Sequence, residues 1–487
     1  MECREGQTFT NWSQSIIARP RRLCAPRNVQ DVVELLREAR NAGRKVRAYG
    51  SGWSFSDVMV THDYLVDTSN LRGILAFSQG RHGWRRGPIA RPPGPPPASF
   101  GDLRVLPEGL RDAVLASDRR FVWVMAGTTI KELYQTLDND DRNVGTPGAP
   151  ARGSWALPTM GGASGQTIAG AISTGTHGTG ARLGNISTQV EGLELVLADG
   201  SVRELSAEGD PELLRAARVG IGALGAISAV TLRCVPAFTL HRVDARRPRE
   251  EVLDSFQESA DANDHFELFT FPYADSALVL ERNRTEEAAR PRGRAASYLN
   301  DVVLENWALE AISAAGKRLP RAIPSLSRLA AGLASGGRAT DRSDRIFANE
   351  RRVRFTEMEY GVPREHGPEA VRRAIEWVRA NRYPVFFPIE MRVTAGDDAL
   401  LSPSHERDTA YIAVHQYRGM EWRPYFEAVE SIMDEYGGRP HWGKRHFQTA
   451  ATLAERYPRW AEFQAARDEL DPGRAFTNEY AERVLGP

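Results

Sequence analysis

Gly170-Ala-Ile-Ser-Thr-Gly-Thr-His-Gly-Thr-Gly180, with Gly161-Gly-Ala-Ser-Gly165 just before it, is the stretch on which the reading of this chain turns. From Leu157 to Gly180 the chain is rich in Gly, Ser and Thr and carries no Asp, Glu, Lys or Arg, which is unusual for a solvated loop. Small residues at nearly every position let a flat ring or a diphosphate lie against the main chain. Backbone N–H groups and Thr or Ser hydroxyls then satisfy phosphate oxygens and the polar edge of the ring. A Gly-rich turn with a purely structural role is the alternative, and the ligand cradle is preferred.

Working outward, a second turn lies upstream in Ala48-Tyr-Gly-Ser-Gly-Trp-Ser-Phe-Ser-Asp57. Gly50 and Gly52 permit positive φ, so successive N–H groups can converge on an anion, and Ser51, Ser54 and Ser56 add hydroxyls. By itself this signal is weak, because any tight Gly/Ser turn looks similar. Neither segment reads GxxxxGK[ST], which excludes a nucleoside-triphosphate loop. Gly50-Ser-Gly52 does not continue into GxGxxG and a helix, which excludes a Rossmann site.

A chain of 487 residues implies two domains, or one large domain with insertions. Hydrophobic content of 41% and charged content of 26% are ordinary for a globular protein. Lys+Arg and Asp+Glu balance at 63 each, so no nucleic-acid or anionic-membrane partner is expected. Cys3, Cys24 and Cys234 are widely spaced without CxxC, so neither a disulfide framework nor a zinc site is expected, and no metal is assigned. Met1 to Thr10 lacks a signal-like apolar core, and no apolar run of about 18 residues exists to span a bilayer. The expectation is a cytoplasmic protein.

Helices are expected over Val29–Ala42, Thr129–Leu137, Tyr298–Leu333, Glu369–Asn381 and Arg423–Tyr436. Strands are expected at Lys45–Tyr49, Tyr64–Asp67, Phe121–Met125, Ala226–Arg233, Phe266–Pro272, Ala277–Glu281, Arg354–Tyr360, Val385–Val393 and Ala410–Gln416. Ala198-Asp-Gly200 between Val190–Leu197 and Ser201–Leu205 reads as a hairpin. Ser78 to Pro97 is Pro/Arg-rich and is expected to be a surface loop interrupting a hairpin. Tyr298–Leu333 is apolar at helical spacing, but Arg290, Arg292, Lys317, Arg318 and Arg321 flank or interrupt it. It reads as a packed cap or a partner-facing surface rather than a membrane-docking helix. The whole is α+β.

Taken in order, the first helix, Gly50-Ser-Gly-Trp-Ser-Phe-Ser-Asp57, Thr174-Gly-Thr-His-Gly-Thr-Gly180, Gly222-Ala-Leu-Gly225 and His441-Trp-Gly-Lys444 resemble the vanillyl-alcohol oxidase / p-cresol methylhydroxylase flavoprotein family. The resemblance is to its aldonolactone (D-arabinono-1,4-lactone and L-gulono-1,4-lactone) oxidase and alditol oxidase branch, and is weakest over Ser78–Arg120 and Arg282–Ser343. It implies an α+β fold: a two-subdomain FAD-binding domain of the vanillyl-alcohol oxidase type and a cap domain with a large antiparallel sheet covered by helices. The corresponding boundaries are 1–236 for the FAD domain, 237–444 for the cap and 445–487 for a C-terminal segment returning to the FAD domain. The implied activity is hydride transfer from an alcohol carbon of a sugar-derived lactone or polyol to flavin N5, with O2 as acceptor. Two alternatives remain: a flavin enzyme acting on a secondary-metabolite hydroxyl with another acceptor, and an inactive flavin-binding scaffold.

The branch commonly has His where this chain has Trp53, and that His carries the covalent link to the flavin. An indole offers no comparable nucleophile, so FAD is expected to be dissociable. His177 is the other conceivable attachment point, read instead as a hydrogen-bonding residue. The residues expected at the cofactor are Gly50, Ser51, Gly52, Trp53, Ser54, Gly162, Ser164, Gly165, Gly170, Thr174, Thr176, His177, Gly178, Gly225, Ile227 and His441. For catalysis the resemblance singles out Glu390, Arg392, His415 and Lys444. Glu390 and Arg392, at i and i+2 of a strand, share a face and can hold a diol. Lys444 supplies a cation, and His415 can accept the hydroxyl proton, with the two roles open to exchange. A residue before the Thr-Gly-Thr-His-Gly motif gates oxygen in the family; Gly161 or Gly162 stands there and favours an oxidase.

Overall fold

The computed structural model describes residues 1–79, 84–86, 120–138, 155–291, 308–333, 336–348 and 353–487. Asn28 opens the first helix, Val29–Asn41, by accepting a hydrogen bond from the Asp31 N–H. Val32, Val33, Leu35, Leu36 and Ala39 form its buried stripe. That stripe covers a four-stranded sheet ordered Glu2–Glu5, Arg22–Ala25, Tyr64–Asp67, Val46–Tyr49, in which the last three strands are parallel. The strand Val46–Tyr49 delivers the chain straight into the Gly50–Ser54 turn.

The second sheet runs Val202–Ser206, Val190–Val196, Ala226–Pro236, Arg120–Met125, Ile74–Gln79, Trp84–Arg86, all antiparallel, with Trp155–Ala156 joined to the long strand Ala226–Pro236. The Ala198-Asp-Gly200 hairpin forms as expected, with Gly200 at φ +79. Part of the expected Ser78–Pro97 loop is strand instead: Trp84–Arg86 pairs with Ala76–Ser78. The Pro-rich portion that motivated the loop lies outside the described residues.

The third sheet has eight strands in the order Gly337–Arg342, Thr239–Pro248, Ser276–Thr285, His265–Thr270, Ile389–Thr394, Thr409–Tyr417, Phe355–Pro363, Arg439–Pro440. Helices Gly367–Ala380 and Arg423–Glu435 pack across one face, where Val371, Ile375, Val378, Phe426 and Val429 meet Met358, Met391, Ile412 and Val414. Period 2 therefore sends even-numbered residues of Phe355–Pro363 and Thr409–Tyr417 into this core and odd-numbered ones to the opposite face. The C-terminal segment returns to the first sheet: the Val46 N–H donates to Ala475 O, and Asn478 caps its own helix while donating to Val60 O.

Three expectations need correction. Cys3 and Cys24 form a disulfide, because antiparallel pairing of Glu2–Glu5 with Arg22–Ala25 sets the two residues directly opposite each other. Sequence spacing alone conveys nothing of that register. The expected helix Tyr298–Leu333 is two helices, Ala308–Arg318 and Ile323–Leu333, separated at Pro320; Tyr298–Trp307 lies outside the described residues. The strand expected from Val385 starts only at Ile389, after Pro384 and Pro388. Among the described residues no helix is long and apolar enough to cross a membrane.

Candidate active site

The face of the third sheet opposite its helices carries charge rather than methyl groups. Phe355, Glu357 and Glu359 share it on one strand, Tyr411 and His415 on the next, and Glu390 and Arg392 on the one beyond. Glu357 stands directly across from His415 in the register, and Arg392 directly across from Glu267. The segment His441–Arg445 docks on the edge: the His441 N–H donates to Glu359 O and the Arg445 N–H to Glu357 O. Trp442 anchors it, fully buried, its indole N–H donating to Leu401 O at 2.6 Å. These contacts bring Lys444 to the two carboxylates.

Over this face the charges pair tightly. Lys444 Nζ lies 2.5 Å from Glu357 Oε1 and 3.9 Å from Glu359 Oε2. It also sits 5.2 Å above the Phe55 ring. His177 Nε2 lies 3.2 Å from Glu359 Oε1, and its ring stacks 3.6 Å from that of Tyr411. Burial alone would raise the Glu359 carboxyl, but His177 most strongly, then Lys444 and His441, hold it well below the usual carboxylate range. Arg392 pairs with Glu390 and, at 2.8 Å, with Glu267, which also takes Arg282 at 2.6 Å. Burial pushes Glu267 up, yet Arg282 and Arg392 bring it down to about 2. Burial opposes the charge on Arg392 as well, and Glu390, Glu267 and Glu359 override it to strengthen the guanidinium. Burial lowers His441 to about 3, so it is a neutral imidazole that accepts the Gly443 N–H at Nδ1.

Two continuous hollows meet at Trp53, Ser54, Gln166 and Thr174. The first, about 770 Å³, lies between the Gly50–Ser54 turn, the segment Gln166–Thr174 and the stretch Ile221–Ile227. Among the described residues no acidic side chain lines it, and the one charged group there is Arg47. That guanidinium is buried and donates to Val58 O, Ile221 O, Gly222 O and Phe476 O, tying the walls together. A Cβ at Gly50 would stand 1.9 Å from Thr167 Oγ1, so only glycine lets the turn approach this closely. Gly52 holds φ +65, where other residues are strained. Backbone amides and the Ser51, Ser54 and Thr174 hydroxyls, with no carboxylate among the described lining residues, suit a diphosphate and its adenosine. The second hollow, about 620 Å³, is lined by the aromatic rings of Trp12, Trp53, Phe55 and Phe355 and by the charged groups of Glu357, Glu359, Arg392 and Lys444. A flat ring system reaching from the first hollow into the second would fit a dinucleotide flavin.

Of the residues expected at the cofactor, Gly50, Ser51, Gly52, Trp53, Ser54, Gly170, Thr174, Gly225 and Ile227 line the first hollow. Gly162, Thr176, His177 and His441 line the second, with Arg392 and Lys444. Ser164, Gly165 and Gly178 line neither. Ser164 O accepts the Lys131 N–H at 2.9 Å. Gly165 leaves room for the Trp53 indole, 3.1 Å from where its Cβ would be, and Gly178 accommodates Thr159 and Met160. Glu390 and His415 are buried behind the wall rather than in it. Trp53 stacks on Trp12 with centroids 4.5 Å apart.

The family model described as D-arabinono-1,4-lactone oxidase matches residues 230–484, and an FAD binding domain model matches 20–83 and 107–206. The chain belongs to the D-arabinono-1,4-lactone oxidase family. It is an FAD-dependent oxidoreductase acting on CH–OH groups. An L-gulono-1,4-lactone dehydrogenase of Mycobacterium tuberculosis is 42% identical over 98% of this chain and 99% of the relative. An L-gulonolactone oxidase of Bos taurus is 29% identical, covering 99% of both chains. In fold, the crystal structure of a Brevibacterium sterolicum cholesterol oxidase superposes with a TM-score of 0.76 at 17% identity, over 99% of this chain and 97% of that one.

Within this lactone oxidase family chain, sequence reasoning missed Glu357, Glu359, Arg47, Gln166 and, of the aromatic wall, Trp12, Phe55 and Phe355. The carboxylates were readable by the argument used for Glu390 and Arg392, since Glu357-Met-Glu359 has the same i, i+2 spacing in an expected strand. One group among the described residues, His177, Glu359 and His441, has ligand atoms within 4.8 Å of one another, the spacing a cation would need. Its carboxylate already pairs with His177 and Lys444, and the His441 Nδ1 lone pair is taken by the Gly443 N–H.

Proposed function

We propose that the protein oxidises a secondary alcohol of a sugar-derived lactone, of the L-gulono-1,4-lactone or D-arabinono-1,4-lactone kind, with dissociable FAD and with O2 as acceptor. The observation that carries this reading is a polar pocket, with Glu357, Glu359, Arg392 and Lys444 in its wall, continuous with a glycine-rich cleft that no carboxylate lines among the described residues. A hydroxylated ring finds donors and acceptors there, while Trp12, Trp53, Phe55 and Phe355 take its apolar faces. In this reading residues 1–236 and 445–487 hold FAD and 237–444 form the cap. Bound FAD would supply the two-electron acceptor. The turn Gly50–Ser54, Gly170, Thr174, Gly225 and Ile227 would hold its diphosphate side; Gly162, Thr176, His177 and His441 would flank the ring.

Arg392, fixed by Glu390 and Glu267, binds substrate hydroxyls and holds its charge at every working pH. The Lys444 ammonium offsets negative charge that builds up during oxidation. Trp53 replaces the linking His of the family, so acid precipitation leaves a white pellet and a yellow supernatant; colour retained in the pellet would contradict dissociable FAD. Gly161 or Gly162, before the Thr-Gly-Thr-His-Gly motif, supports O2 as the acceptor in this reading. With a panel of aldonolactones in air, one H2O2 forms per lactone consumed. Turnover only with a quinone or a cytochrome would replace O2 as acceptor, and turnover only with apolar alcohols would replace the lactone. The aromatic wall is the feature that favours this second substrate class.

A further inference from the structure

The neighbourhood of His415 singles out a different residue for proton removal. His415 is 5% exposed and does not line the pocket. Phe355 covers it edge-on at 5.2 Å, and Phe387 lies at 6.0 Å. Its Nδ1 faces Pro388 O at 3.3 Å, and since a carbonyl only accepts, Nδ1 carries the hydrogen. The other ring nitrogen, Nε2, points to Glu357 Oε1, 3.4 Å away. Glu357 does line the pocket, so its carboxylate stands between substrate space and the imidazole. Lys444, at 2.5 Å, fixes that carboxylate in place.

We propose that Glu357 is the catalytic group that takes the substrate's hydroxyl proton and relays it to His415. This rests on the lactone-oxidation reading above. As the carbinol C–H bond breaks and its hydride, with both electrons, leaves to oxidised flavin, the carbon becomes a carbonyl and its O–H becomes strongly acidic. The O–H bond then breaks, and the proton passes to a Glu357 oxygen. From there it moves to His415 Nε2, giving an imidazolium beside a restored carboxylate. A weak base suffices here, because the proton the carboxylate receives is that of a protonated carbonyl and does not rest on it. His415 is the proton's resting place rather than the group in contact with substrate.

Glu357→Gln keeps the size and the hydrogen bond to Lys444. Anaerobic stopped-flow reduction by the lactone should slow by about 100-fold or more. The lactone Kd, from the flavin spectral shift, and the FAD Kd should each stay within about threefold of wild type, a difference too small to account for the lost rate. Glu357→Asp, with its carboxylate kept, should recover part of the rate. In His415→Asn, where the second step is blocked, the reduced-minus-oxidised infrared spectrum should gain a protonated-carboxyl band that the double variant with Glu357→Gln lacks. Wild-type reduction rates in Glu357→Gln, or FAD or lactone affinity falling in step with the rate, would overturn the proposal. A wild-type holoenzyme that no lactone reduces would instead remove the underlying reading, and the relay with it.

Discussion

A single buried imidazole shows how far the site departs from water. His441 is lowered from 6.5 to about 3 by burial, so unfolding lets it take up a proton below neutrality. A histidine with a depressed folded value contributes fully above its unfolded pKa and loses stability as pH falls towards the folded one. From pH 6.5 to 5, wild type should therefore lose about 2 kcal/mol more than His441→Gln, measured by denaturant titration; parallel pH curves would contradict this. Gly50 offers a second test. Because a Cβ there would stand 1.9 Å from Thr167 Oγ1, Gly50→Ala should weaken FAD binding by about tenfold to hundredfold in a fluorescence titration. Unchanged affinity would mean the turn does not close on the cofactor.

At the scale of elements, the strand Phe355–Pro363 divides its labour by parity. Met358, Tyr360 and Val362 enter the core under the two covering helices, while Phe355, Glu357 and Glu359 face the pocket. Met358→Ala should cost about 2–5 kcal/mol of stability and leave the lactone Kd and flavin reduction rate nearly unchanged, because the cavity opens on the far side. A large rate loss at retained stability would mean the two faces are coupled. The same strand shows what was legible beforehand. Its existence, the first helix and the Ala198-Asp-Gly200 hairpin follow from short-range periodicity and turn chemistry. Thr239–Pro248 escaped notice because Arg242, Asp244, Arg246 and Arg247 break apolar alternation; its pairing with Ser276–Thr285 and Gly337–Arg342 supplies what its own sequence lacks. The glycine cradles and Arg392 and Lys444 were legible as motifs. That Glu357 screens His415 from the pocket was not, since it depends on the register of two strands distant in sequence.

Across the whole molecule, shared hydrophobic cores and backbone hydrogen bonds tie the three larger sheets together. The Gly180 N–H donates to Val393 O at 2.7 Å and His265 Nδ1 donates to Thr179 O, joining the second glycine stretch to the third sheet. The C-terminal strap reaches back to the first sheet through Arg47 and Phe476. At the other end Cys3–Cys24 fastens the edge strand, leaving Cys234 buried as a thiol. Protein isolated without reductant and unfolded in denaturant should titrate one thiol per chain; three would show that the bond is absent and would suit a reducing compartment such as the cytoplasm. Replacing both cysteines by serine should cost about 3 kcal/mol.

All of these scales converge on one claim, that a dissociable flavin in the glycine cradle faces a lactone held by Arg392, with the Glu357 carboxylate at the hydroxyl that reacts. Anaerobic titration of the yellow holoenzyme with L-gulono-1,4-lactone tests it most directly. The account requires flavin absorbance to bleach with one lactone oxidised per FAD; an unbleached spectrum at saturating lactone, or protein that stays colourless after incubation with FAD, would contradict it.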